Sequence, residues 1–319
     1  MKPHHLLPVV VLALACAGVA PAATLRPSNV SMAVDCNFKL QVTPTLDGQT
    51  LQLESTEPIF SHPCSNNGIV LSNRGKGAAD RTFTFDCLHL GTIRGSSRGK
   101  GLQIKGPGLV VMSCDVDGFS NGVVVSDDGA EVDDTIVQNS TRDGFSVKDP
   151  VNPNSDKFLG TSLFGNQSLN NRGFGFKMKG NGFDLEGGNF VSNLALGNHS
   201  GGFSVVGDGN VLSGNDAISN GGAGFMILGK SCCLPNSFDT ARALNNAQAG
   251  IVYAGRDQGT TCSAAGCLPL GIDLSAQGAI FASGNASICP AGTTTAKPIP
   301  GQICIASKTC STGELDKCL

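Results

Sequence analysis

The chain has 319 residues, of which 43 are glycine, with no tryptophan, a single tyrosine and a formal net charge of −3. That composition is rich in turn residues and poor in helix formers, and the slight negative charge excludes the general basic surface a nucleic-acid binder needs. The length suits one elongated domain or two globular ones.

At the start, Lys2, an apolar run from Leu6 to Val19 and then Ala20-Pro21-Ala22 read as a secretory signal over residues 1–22, cut before Ala23. The run is too short to span a bilayer and no later stretch is longer, so no membrane-spanning segment is expected. The mature chain is expected outside the cytoplasm, secreted to the extracellular or periplasmic space. Of the 13 cysteines, Cys16 leaves with the signal, and the even number that remains contains no CxxC pair. In an oxidising compartment this reads as disulfides rather than zinc.

Residues 23–64 alternate apolar with other residues at Phe38, Leu40, Val42, Leu51 and Leu53. Strands forming an N-terminal cap over the end of a stack are expected there. From residue 65 to 280 a different pattern holds: glycine, apolar, other, apolar. It occurs at Gly68-Ile69-Val70-Leu71, Gly101-Leu102-Gln103-Ile104, Gly122-Val123-Val124-Val125, Gly144-Phe145-Ser146-Val147, Gly175-Phe176-Lys177-Met178, Gly202-Phe203-Ser204-Val205, Gly224-Phe225-Met226-Ile227 and Gly250-Ile251-Val252-Tyr253. Gly271-Ile272-Asp273-Leu274 extends the series. Asn171, Asn198, Asn220 and Asn246 stand just before four of these glycines, with Asn166, Asn193 and Asn215 further upstream.

Glycine spacings of 21 to 33 residues with visible insertions suit a rung of three short strands and three turns. The rungs would stack Phe145, Phe176, Phe203 and Phe225 in one inner column, with the asparagine amides in ladders at the turns. The L-x-x-L-x-L frame of leucine-rich repeats is missing, and left-handed hexapeptide helices keep a stricter period. This combination of Gly-φ-x-φ and asparagine turns resembles the right-handed parallel β-helix of the pectate-lyase-like superfamily. The likeness is to the repeats of carbohydrate-binding proteins and sugar hydrolases. It implies an all-β solenoid of about 8–10 coils with disulfide-rich end caps, the last over residues 281–319.

Within that scheme Cys87 and Cys114 fall at equivalent places one rung apart, inside the reach of a disulfide, and Cys36 with Cys64 forms a second expected pair. Cys262, Cys267, Cys289, Cys304, Cys310 and Cys318 would tie the C-terminal cap, with pairings left open; adjacent Cys232 and Cys233 would bond elsewhere than to each other.

If the first and third positions after each glycine point inward, the alternate ones face out. Lys105, Lys148, Lys177 and Lys179 then line a cationic stripe, a candidate substrate-binding surface for an anionic polysaccharide, since rungs rise about as a sugar residue does. Asp127, Asp128 and Asp149 at the strand ends are candidate Ca²⁺ ligands, the only cofactor suggested. Asp133 and Asp134, with Asp115 and Asp117 one rung earlier, offer paired carboxylates of the kind glycoside hydrolysis uses, and Arg142 a candidate base for β-elimination. Set against catalysis are the absent Gly-His-Gly of polygalacturonases, Arg-x-Pro-x-x-Arg of pectate lyases and Asp-Pro-His-Asp of alginate epimerases. Solvated turn acids and lysines are the plain alternative. Farther along, the outward Val206, Met226, Leu228 and Val252 make an exposed apolar run that calls for a cover. Sequons stand at Asn29, Asn139, Asn166, Asn198 and Asn285. Two functions remain: binding or cleaving an anionic polysaccharide, or a non-catalytic structural or adhesive rod.

Overall fold

Short alternating stretches punctuated by glycine wind the chain into coils, each contributing one strand to each of three sheets. A computed structural model describes residues 30–32, 36–53, 63–75, 77–127, 129–149, 160–180, 189–206, 210–228, 236–239, 241–248, 250–253, 272–273, 281–283, 293–295 and 303–306. The sheets contain 10, 11 and 8 strands, and neighbours that pair in parallel are one coil apart in the chain. All pairings are parallel except Thr293–Thr295 against Ile303–Ala306. This is the expected parallel β-helix.

The glycine strands form the 11-stranded sheet. Its register aligns Phe38, Ile69, Leu102, Val123, Phe145, Phe176, Phe203, Phe225, Ile251 and Ile303. The four phenylalanine rings are stacked face on face, with centroids 4.7, 4.8 and 4.8 Å apart, which is the rung spacing itself. Strands expected in the N-terminal cap continue the stack: Phe38–Gln41 pairs with Ile69–Ser72, and Gln49–Leu53 with Phe83–Asp86. At the other end the register corrects the sequence reading. Ile272–Asp273 joins the 10-stranded sheet beside Asn236–Asp239, and Ile303–Ala306 is the strand that follows Ile251–Tyr253. The tail therefore lengthens the stack there, with Thr293–Thr295 closing that edge.

Glycine is required in the repeat by lack of space. A Cβ on Gly175 would stand 2.8 Å from the Cβ of Ala195, 2.8 Å from Nδ2 of Asn198 and 2.9 Å from the carbonyl of Gly202. All are interior atoms, so glycine and the residue after it both face inward. The glycine interrupts strict alternation, and the residue before it faces out.

Two amide ladders run up the corners. In one, Asn166 Nδ2 donates to Oδ1 of Asn193 (3.0 Å) and Asn193 Nδ2 to Oδ1 of Asn215 (3.0 Å). In the other, Asn171, Asn198, Asn220 and Asn246 are joined by the same bond at 2.9, 3.1 and 2.9 Å. Each accepting oxygen also takes the backbone N–H of the asparagine one coil earlier, as Asn198 does for Asn171 at 3.1 Å. The second amide hydrogen goes to a backbone carbonyl, from Asn198 to Ser168 at 3.0 Å. The left-handed residue is the one before the ladder position: Asn170 (φ 53°), Ser192 (55°), Ser219 (53°), Asn245 (53°). Asn166 and Asn198 are buried with their amides fully used, so the folded protein has no room for a glycan at either.

Both expected disulfides are present, Cys36–Cys64 and Cys87–Cys114, with Cα atoms 5.4 and 4.8 Å apart. Of the C-terminal cysteines only Cys304 falls in a described strand; the others, with Cys232 and Cys233, lie outside the described residues, as does the signal.

Candidate functional site

The lysines expected on the glycine-strand sheet stand on its outer face, but they divide into two environments. Along one outer column the register runs Ser72, Lys105, Ser126, Lys148, Lys179, Val206. Lys105 is half-buried, and Lys148 and Lys179 are exposed on adjacent strands. None of the three forms an ion pair among the described residues. Lys177, in the neighbouring column, is instead held: its Nζ is 3.4 Å from Oδ2 of Asp143 and 5.9 Å from the centre of the Phe174 ring. Its charge is thus partly spent on a carboxylate and an aromatic face.

A fourth free ammonium, Lys100, was not among the sequence candidates. Counting back from Leu102 by strict alternation puts it inside; the glycine between them reverses that parity and turns it out. Burial lowers its pKa, and the charges of Lys105 and Lys148 lower it further. Lys100 begins the strand that Lys105 ends and pairs with Asn121, so these two lysines flank the outward row Gln103, Val124 and Ser146 from opposite ends. Those outward residues are themselves buried, with 9, 4 and 6 % of their surface exposed.

The apolar half of this face also differs from expectation. Val252 is buried at 5 % exposure, and Val206 and Met226 are half-buried, so no bare apolar run is present at these three positions. The side chain of Leu228 is outside the described set.

The candidate catalytic residues are not brought together as a unit. Asp133 and Asp134 end the strand Glu131–Asp133 at one corner, whereas Arg142 follows Ile136–Gln138 at the next corner of the same coil. What Asp134 does meet is His89, from an earlier coil. His89 Nδ1 lies 2.9 Å from Oδ1 of Asp115, and Nε2 lies 3.3 Å from Oδ2 of Asp134. Burial disfavours the charged ring, but hydrogen bonds and charge from both carboxylates outweigh it and raise the pKa above the ordinary histidine value. Asp117 accepts from Asn139 Nδ2 at 2.8 Å. The corner is thus a clamp across successive coils in which Asp115 and Asp134 are both committed to one imidazole. A hydrolytic pair needs an acid and a base turned toward a sugar.

Of the candidate calcium ligands, Asp127 is held by Arg74 at 2.7 Å, Asp128 lies outside the described residues, and the side chain of Asp149 is not described. Among the described residues no group of three histidine, cysteine or acidic side chains converges to hold a metal, and no helix is long and apolar enough to cross a membrane.

Sheets, register and disulfides together define a disulfide-bonded parallel β-helix. No protein-family profile matches the chain, and no curated protein matches its sequence. Among solved structures it is similar to the crystal structure titled Dettilon tailspike protein (gp208), at 14 % identity and a TM-score of 0.36, covering 81 % of this chain and 61 % of that one. The chain thus spans about three fifths of that protein's length.

Proposed function

We propose that this protein is a secreted β-helix, of the pectate-lyase-like type, that binds an anionic polysaccharide along the outer face of its glycine-strand sheet. The observation that carries this is the group Lys100, Lys105, Lys148 and Lys179, which keeps its positive charge unpaired by any described acid on a chain of net charge −3. Like charges held together cost folding energy, and an extended polyanion laid across the rungs relieves that cost. Disulfides support an oxidising, extracytoplasmic setting. Binding is favoured over cleavage because Arg142 stands a corner away from Asp133 and Asp134, and Asp134 is engaged by His89.

Retention on an immobilised acidic polysaccharide, eluted with rising salt, tests the reading. The wild type should be retained there and not on a neutral polymer. Lys148→Glu with Lys179→Glu should elute at clearly lower salt, because each reversed charge replaces a salt-screened attraction with a repulsion. Flow-through of the wild type on every acidic polymer, or unchanged elution of the doubly reversed variant, would remove the proposal.

A further inference from the structure

We propose that the turn at residues 87–91 is a docking knob for a partner protein, whose matching surface is a basic amphipathic segment with apolar side chains set among lysines or arginines. The turn joins the 10-stranded sheet to the 8-stranded one, so it lies across the coil from the glycine-strand sheet. In the register Asp86 pairs with Met112 and Thr92 with Asp115. Between those pairs the later coil needs only Ser113-Cys114, whereas this one has Cys87-Leu88-His89-Leu90-Gly91. The corners that follow, Asp134-Thr135 and Gly165-Asn166, are as short as Ser113-Cys114. The extra residues carry Leu88 and Leu90, which are 40 and 37 % exposed. Among the described residues Leu196 and Val211 are similarly open, but they lie in regular strands whose alternation turns them outward. Leu88 and Leu90 are put out by an insertion that no strand requires.

The backbone of this turn is strained and pinned. Leu88 and His89 are both left-handed, at φ 56° and 50°, a conformation costly for residues other than glycine, asparagine and aspartate. The later corners of the same edge give the left-handed place to Ser113, Asp134, Gly165, Ser192 and Gly214. Such strain persists only where the surroundings over-determine it, and it gathers at binding sites. Here Asp86 Oδ1 accepts the N–H of Leu88 at 2.9 Å, the Ser113 carbonyl accepts that of His89 at 2.8 Å, and Cys87 is tied to Cys114. The His89 ring is drawn onto Asp115 and Asp134, leaving the two leucines to solvent. An apolar knob fixed in advance loses little freedom on binding. Asp86, Asp115, Asp133 and Asp134 stand around its base, against the imidazole of His89 and Arg94 at the far end of the strand that leaves it. That excess of carboxylate selects a basic rim on the partner and disfavours an anionic lipid surface.

A fluorescent amphipathic helix built of leucine and lysine, and the same peptide with serine for every leucine, serve as probes because charge and length are held constant. The full chain should bind the leucine peptide about tenfold more tightly, as burying one leucine-sized apolar contact would give. Leu88→Asn with Leu90→Gln should erase that preference, yet its urea midpoint should equal or exceed that of the wild type, since asparagine accepts a left-handed backbone. A lower urea midpoint in the double variant would assign the leucines to packing. Equal binding of the two peptides, or a preference that survives the double variant, would remove the knob as a docking site. Capture of the wild type by anionic or zwitterionic vesicles, lost in the double variant, would give the knob to a lipid surface and overturn the proposal as well. Retention on an acidic polysaccharide should be the same for the wild type and the double variant, so this inference and the lysine-face reading fail separately.

Discussion

The coils before residue 140 and those after it share a winding but fill it differently. In the earlier coils the inner positions of the glycine strands hold Ile69, Leu102 and Val123, facing Ile93, Val116 and Val137 of the eight-stranded sheet. In the later coils they hold phenylalanine, while the eight-stranded sheet holds the small Ser168, Ala195, Ala217 and Ala243 against the glycine before each phenylalanine. Two medium side chains have been exchanged for one large and one small, which keeps the volume of the cross-section. The corners differ in the same way. Cys87–Cys114 and Phe119 occupy in the earlier coils the places that asparagines occupy later. One half closes its corners with a covalent bond between adjacent coils and with apolar contacts, neither of which needs a hydrogen-bond partner one coil on. The other closes them with amides that are satisfied only while the next coil is in register.

The sharpest way to break the laddered half is Asn198→Asp. Asn198 is fully buried, accepts from the N–H and Nδ2 of Asn171, and donates to Asn220 Oδ1 and the carbonyl of Ser168. A carboxylate keeps the acceptors, loses both donors and places a charge beside two oxygens. The expected loss of stability is about 4 kcal/mol, between the cost of an unsatisfied buried group and that of a buried unpaired charge. Urea denaturation of the intact chain would measure it, and hydrogen exchange at the Asn171 amide would locate it. A midpoint shift worth less than about 1 kcal/mol would mean that the ladder is ornamental.

The disulfide-tied half should yield less, and locally. Replacing Cys87 and Cys114 together by alanine removes a link across 27 residues, a loop-closure effect of about 3 kcal/mol. Ala241, buried in the described corner near the far end, shows that alanine is accepted at such a place. Hydrogen exchange should quicken in Phe83–Asp86 and Leu109–Met112 and stay unchanged in Gly201–Val206. Loosening of the phenylalanine coils by the same double variant would contradict the independence of the two halves.

How much of this could be read from residues alone follows from the same contrast. Stacked identical residues announce themselves: the phenylalanine column, both ladders and the two cysteine pairs all repeat at rung intervals in the sequence. Features that do not repeat were hidden. Phe119 replaces an asparagine once, and Lys100 is turned outward by a backbone detail at Gly101. His89 reaches Asp115 and Asp134 across 26 and 45 residues. Gly271 followed by Ile272 imitates the repeat by composition, whereas the strand that continues the sheet, Ile303–Ala306, has no glycine before it. The repeating code reports the stack, and the site is built from its exceptions.

The smallest expected effect concerns one of those exceptions, the His89 clamp across the earlier coils. Its pKa is raised in the folded protein, so the folded state binds the proton more tightly than the unfolded chain. That contribution is fully present below the ordinary histidine pKa and is lost as pH rises through the folded value. Stability of the wild type should therefore fall, relative to His89→Gln, from mildly acidic to mildly alkaline pH. The ring is about one third exposed, so solvent screening limits the difference to about 0.5 kcal/mol. Urea midpoints of both proteins at two pH values on either side of neutrality would show it as a pH slope present only in the wild type. Because the disulfide beneath this corner already ties the same two coils, the slope should grow in the Cys87→Ala, Cys114→Ala background, where the imidazolium is the remaining side-chain tie beside the backbone ladder. Parallel slopes in both backgrounds would mean that His89 rides on the corner without bracing it.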